Sequence, residues 1–147
     1  MKKIIALFLI FITLLSLGAC AKEFEKADEL SAKYIEALLL RDEEEMAKYV
    51  HPDHKSDAIP NDEFYTNLEE QKLPVGVELT ALEAGTKNYV NDTALEGTVL
   101  QCNYILRANE LFYSVELIIL ENDNGYGVVA VKMELNLEYL SAVLSEV

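Results

Sequence analysis

The chain has 147 residues, 26 acidic and 12 basic, a net charge of −14, two cysteines and no tryptophan. That length fits one domain with a core of its own, and the charge excludes a nucleic-acid binder, which has phosphates to neutralise. An apolar fraction of 51% against 26% charged excludes a disordered chain, and two cysteines exclude a disulfide scaffold.

Met1-Lys2-Lys3 opens onto an apolar run at residues 4–15, broken only by Thr13, and then onto the small residues Ser16, Gly18 and Ala19. A basic start, an apolar stretch and a small-residue end are the parts of a secretory signal peptide. The uncharged stretch, residues 4–21, is 18 residues long. That is the lower limit for a membrane span, so an uncleaved anchor is the competing reading. Leu17-Gly18-Ala19-Cys20 resembles the lipobox of bacterial lipoproteins, an aliphatic residue and two small ones before cysteine. The resemblance implies that residues 1–19 are a lipoprotein signal peptide and that Cys20 receives a diacylglyceryl thioether and becomes the new N-terminus. Two or more acyl chains hold a protein on a membrane stably, whereas one does not. Removing residues 1–19 takes Lys2 and Lys3 and no acid, which leaves 10 basic and 26 acidic residues and a net charge of −16. Such a surface is repelled by anionic lipid and is held near the bilayer by its anchor alone. Ala21 stands where aspartate would signal inner-membrane retention. The implied place is the outward face of a bacterial cell membrane, the outer membrane in a Gram-negative envelope.

Residues 20–25 read as a lipidated tether and residues 26–147 as a single domain. The first helix is expected over residues 26–40, with Ala27, Leu30, Tyr34, Ala37 and Leu38 as its buried stripe, widened by Ile35, Leu39 and Leu40. Asp42 caps the next helix, with Glu45 in the capping-box position and Met46, Tyr49 and Val50 inward, and Pro52 stops it. Asn61 caps a third helix that presents Phe64, Tyr65 and Leu68, and Pro74 closes the helical half.

From Val75 the period changes to two. A first strand alternates through residues 75–82, with Gly85 as a bend or bulge. A second is expected at residues 93–107 and a third at residues 110–121, whose odd face of Leu111, Tyr113, Val115, Leu117 and Ile119 is wholly apolar. Asn122-Asp123-Asn124-Gly125 is a hairpin signal. The fourth strand, residues 126–135, turns Val129, Val131, Met133 and Leu135 to one face. Asn136 caps a closing helix with Leu140, Val143 and Leu144 inward. Short turns between consecutive strands give an antiparallel sheet, and its apolar face needs the helices as cover. The fold class is α+β, with N-terminal helices on a curved sheet of about four strands.

Tyr34 to Asp42, then Met46 to Asp53, then the strand meander together resemble the nuclear transport factor 2-like, cystatin-like superfamily over about residues 25–135. The resemblance implies a cone whose concave sheet often encloses a pocket, and it does not give a function.

There is no glycine-rich phosphate loop, no paired zinc cysteines, no His-Glu-x-x-His and no Gly-x-Ser-x-Gly. An EF-hand register on Gly125 puts Leu120 and Val131 at ligand positions, so an EF-hand is rejected. His51-Pro52-Asp53-His54 holds both histidines but fits no zinc spacing, and the reading taken is a helix C-terminus with His51 on the dipole. No metal or other cofactor is expected. Cys102, in an apolar run, reads as a buried free thiol.

Enzymes of the superfamily place Asp, His or Tyr inside the cone. The candidates for a pocket or polar site here are His51, Asp53, Tyr65, Tyr104 and Glu116. Glu116 lies on the even face of its strand, and the apolar odd face makes that face the outer one. The function taken is a lipid-anchored, extracytoplasmic binding or accessory domain without catalysis, whose partner is a small ligand or an envelope protein. The alternatives are a small surface-tethered isomerase, dehydratase or hydrolase using the cone, and an assembly module acting through the sheet, dimerisation included. The assembly reading asks for an apolar outer face carrying Leu95, Val99 and Ile105.

Overall fold

A computed structural model of the chain describes the backbone of residues 2–145 and the side chains of residues 21–139, 141 and 142. It is an α+β fold. Helices α1 (Lys2–Leu40), α2 (Glu43–Met46), α3 (Lys55–Ala58) and α4 (Asp62–Glu70) precede strands β1 (Ala81–Val90), β2 (Thr98–Ala108), β3 (Leu111–Asn122) and β4 (Gly125–Leu135), and α5 (Leu137–Ser145) follows. The four strands form one antiparallel sheet in the order β1-β2-β3-β4. Among the described residues no helix is long and apolar enough to cross a membrane.

Local chemistry sets the boundaries. Helix α1 does not begin at residue 26; it runs on through residues 20–25. It ends in a Schellman closure: Asp42 N–H donates to Ala37 O at 2.9 Å and Arg41 N–H to Leu38 O at 3.0 Å, with Arg41 left-handed at φ 55°. Asp42 caps α2 as expected, accepting from Glu45 N at 3.0 Å. Glu45 does not return the bond, because the Asp42 N–H is already taken by Ala37. Its carboxylate instead accepts from Tyr49 Oη at 2.6 Å and from Lys48. Asn61 and Asn136 cap α4 and α5 as expected, accepting from Phe64 N at 3.1 Å and Tyr139 N at 2.8 Å. Leu140, Val143 and Leu144 lie outside the described side chains.

The core lies between α1 and the inner sheet face. Tyr34, Ile35 and Leu38 of α1 and Met46 of α2 meet Leu106 of β2 and Tyr113, Val115, Leu117 and Ile119 of β3. The apolar odd face of β3 is therefore the inner one. Leu40, expected in the stripe, is exposed.

Three expectations about the strands change. Residues 75–80 are not a strand. Gly76 turns at φ 89° and donates to Leu39 O at 2.8 Å, so this stretch serves the end of α1, with Val77 and Leu79 half-buried against the core. Strand β2 begins at Thr98 rather than residue 93, because residues 91–97 fold over the outer face and set Leu95 against Val99, Leu120 and Val129. In β4 a register shift pairs Ile118 with Ala130 and Ile119 with Val128. That bulge moves Val129 out of phase, into the outer cluster, and away from the face of Val131 and Met133.

Candidate functional site

The bulge expected at Gly85 organises the inner face. Ala84 pairs with Tyr104 and Lys87 with Cys102, so residues 85 and 86 together oppose Asn103. A Cβ at Gly85 would stand 2.8 Å from Asn103 O. The inserted residue inverts the phase of β1 beyond it, and Lys87 and Tyr89 share the inner face with Cys102 and Leu100.

Lys87 meets α1 there. Its Nζ is 2.8 Å from Asp28 Oδ1, and the side chain is 9% exposed. Tyr104 Oη donates to the same oxygen at 2.8 Å. Burial pushes the Tyr104 hydroxyl far above the ordinary tyrosine value, and Asp28 adds to the shift. Burial also raises the Cys102 thiol, against the pull of Tyr104 and Lys87. Ser31 Oγ and Tyr126 Oη are buried without a hydrogen-bond partner. Toward residue 21 this cluster opens into a slot of about 20 Å³ lined by Lys26, Tyr89, Leu100, Ile119 and Tyr126. That is room for about one water. Lys26 closes its mouth, 3.3 Å from Glu121 Oε1 and 3.6 Å above the Tyr126 ring.

The carboxylate of Asp28 thus serves both a cation and a hydroxyl. Asp28→Ala would leave the Lys87 ammonium without its counter-charge in a site with little solvent. Because Asp28 is itself partly exposed, the expected loss is about 2–3 kcal/mol. Lys87→Met alone is expected to cost about 1 kcal/mol, and the double variant less than the two together. Urea denaturation of the three variants measures this; strict additivity would mean the pair is not coupled.

The sequence-derived candidates occupy separate places. Of the five, only Tyr104 lies in the inner-face cluster. His51 is fully buried, and it does not end a helix. It is the N-cap of a 3₁₀ turn, Pro52–His54. Its Nδ1 accepts from Asp53 N at 3.2 Å and its Nε2 lies 3.0 Å from Asn122 Oδ1. The same Asn122 oxygen accepts from Asn124 N at 2.9 Å and Gly125 N at 3.2 Å. The ring therefore ties the helical layer to the β3–β4 hairpin, with Nε2 donating and Nδ1 accepting. Asp53 supports the same turn, accepting from Asn124 Nδ2 at 2.8 Å. Tyr65 is buried on α4 beside Phe64, with the Arg41 guanidinium 4.6 Å from its ring. Burial pushes its hydroxyl up to about 12 against the pull of Arg41.

Glu116 is on the outer face, half-buried rather than fully solvated. It accepts from Gln101 Nε2 at 2.6 Å and sits in register between Asn103 and Lys132. Glu116 and Asn103, with Ile105, Ser114, Lys132 and Glu134, line a depression of about 200 Å³. On one side of this polar band lies the cluster of Val99, Leu120 and Val129 under Leu95. On the other, Phe112 packs 4.8 Å from Tyr139 of α5. Among the described residues no three His, Cys, Asp or Glu side chains converge to hold a metal ion.

Sequence reasoning missed Asp28 and Lys87. Asp28 reads as one more charge on a helix, and Lys87 as a solvated strand residue. The one available signal is Gly85, which breaks the alternation two residues before Lys87. Comparison with family models, curated proteins and solved structures finds no match.

Proposed function

We propose that the chain is a bacterial lipoprotein, anchored through Cys20 and facing outward, whose domain is a non-catalytic binding or accessory module of nuclear transport factor 2-like, cystatin-like build. The observation that carries the non-catalytic part is the inner sheet face. Enzymes on a cone need an open cavity there with a group free to act. Here α1 covers the face, Asp28 is engaged by Lys87 and Tyr104, and the slot beside them is about 20 Å³, while a recess of about 300 Å³ between α4 and β4 lies at the edge of the sheet. The enzyme reading gains nothing from His51, bonded through both ring nitrogens, or from Glu116 on the outer face. The sheet-assembly reading is weakened by an outer face whose apolar ends are covered by residues 91–97 and α5, around a polar middle.

The test is the intact mass of the full chain, produced in a bacterial host and extracted in detergent. The expected product begins at Cys20 and carries a diacylglyceryl group, while Cys20→Ala keeps residues 1–19 and gains no lipid. An unprocessed or lipid-free wild-type chain overturns the anchor. Native mass spectrometry of residues 21–147 is expected to show no small-molecule adduct, and a stoichiometric adduct would make the module a carrier of a small ligand and not a receiver of an envelope protein.

A further inference from the structure

We infer that the end of the domain nearest Cys20 seats directly on the lipid surface through Phe24, Tyr89 and Val90, so that the domain is held in one orientation rather than swinging on a tether. This rests on the lipid anchor proposed above. The backbone of α1 is helical without interruption through residues 20–28. At 1.5 Å per residue, Phe24 lies only about 6 Å along the axis from Cys20. Acyl chains on Cys20 hold that residue at the boundary between headgroups and hydrocarbon. The headgroup layer of one leaflet is itself about 5–7 Å deep. Phe24 and whatever touches it therefore lie in or against that layer.

The side chains gathered there suit it. The Phe24 ring is 5.9 Å from the Tyr89 ring, and the Tyr89 hydroxyl donates to Glu23. Tyr89 and Val90, the last two residues of β1, are 48% and 37% exposed. Tyrosine favours a membrane interface because one end of its ring is apolar and the other polar. Among the described residues, the remaining exposed large apolar ones, Leu40, Val75 and Leu137, lie at the opposite end of the strands, about 30 Å away for a strand of this length. Asp92, Glu96 and Asp123 occupy the loops beside the seat. They are repelled by anionic headgroups, so the surface that fits is zwitterionic lipid, and contact is made by aromatic and apolar side chains rather than by charge.

The chain has no tryptophan, so Tyr89→Trp gives the full-length protein a single indole at the seat. Val90→Trp gives a second, independent probe there, and Leu137→Trp a reference at the far end. Each lipidated protein is reconstituted into phosphatidylcholine vesicles containing a lipid with a nitroxide on its headgroup, and its Cys20 lipid is verified by mass. The Tyr89→Trp and Val90→Trp indoles are expected to lose roughly half or more of their emission and to shift to shorter wavelength, while Leu137→Trp is nearly unaffected. Equal quenching at both ends on protein that carries its lipid overturns the seat and leaves the anchor standing. A Cys20 without lipid overturns the anchor, and the seat with it.

Discussion

Above about pH 10 the protein is expected to lose stability steeply, by about 5–6 kcal/mol for each further pH unit. The cause is four buried tyrosine hydroxyls. Tyr34 is fully enclosed, with its hydroxyl donating to Ala58 O at 2.6 Å. Tyr104 donates to Asp28, Tyr65 lies against Met46, and the Tyr126 hydroxyl is buried, with Lys26 over its ring. Burial raises all four above the ordinary value of 10.0, Tyr65 to about 12 and the others further. In the unfolded chain each ionises near 10, while in the fold each keeps its proton. Beyond pH 10 the unfolded state therefore binds fewer protons than the native state, and the free energy of unfolding falls as pH rises. The contribution is complete below pH 10 and is lost above it, at about 1.4 kcal/mol per unit for each tyrosine. Four together give the slope, until Tyr65 drops out near 12. A domain of ordinary stability, about 5–15 kcal/mol, is spent within about one to three such units. Urea midpoints between pH 9 and 12, read by circular dichroism beside tyrosinate absorbance, check this. Absorbance from these four rings should rise with unfolding and not before it. Tyr34→Phe should lower the slope by about one quarter while costing about 1 kcal/mol at neutral pH. A native circular dichroism signal with all tyrosines ionised would refute the account.

What could be read from the sequence, and what could not, divides by distance along the chain. Asp42, Asn61 and Asn136 were legible as caps because a cap bonds an N–H only three residues on. The turn at residues 122–125 and the apolar face of β3 were legible for the same reason, since turn chemistry and alternation are local. The α+β class came from these pieces. The failures occur where partners are remote. The extra residues at 85–86 and at Val129 are defined only by pairing with β2 and β3, and each inverts the facing of the strand beyond it. The Gly85 bulge was anticipated, but its consequence, a lysine turned inward onto Asp28, was not. His51 read as a helix end because its binding partner, Asn122, is 71 residues away. Residues 93–97 pass for the start of a strand until Leu95 is seen to be needed over the outer cluster.

Gly127→Ala is expected to destabilise the domain by about 3–4 kcal/mol, more than its added methyl group could cost anywhere on the surface. A Cβ at this position would stand 2.4 Å from His51 N, 2.6 Å from Val50 C and 2.8 Å from His51 Cα. All three are backbone atoms, so no rotamer change relieves the overlap. Gly127 is needed here because the chain at residues 49–51 lies directly on β4. Val50 forms a parallel bridge to Val128, His51 N–H donates to Val128 O at 2.9 Å, and Val128 N–H donates to Tyr49 O at 2.9 Å. This contact covers part of the β4 edge and brings the His51 ring to Asn122. Pushing the segment outward breaks both backbone bonds and withdraws the ring from the hairpin, which leaves buried polar groups unmatched. Gly76→Ala is the control. Its φ of 89° disfavours a side chain, but nothing lies within 4 Å of the added carbon, so the cost should stay near 1 kcal/mol. His51→Ala offers a sharper discrimination: it removes the ring and leaves His51 N and Cα in place. If backbone overlap is the cause, combining His51→Ala with Gly127→Ala recovers none of the loss. Recovery of most of the lost urea midpoint in the double variant would place the conflict in the ring, and a Gly127→Ala loss no larger than that of Gly76→Ala would mean residues 49–51 are not pressed against β4.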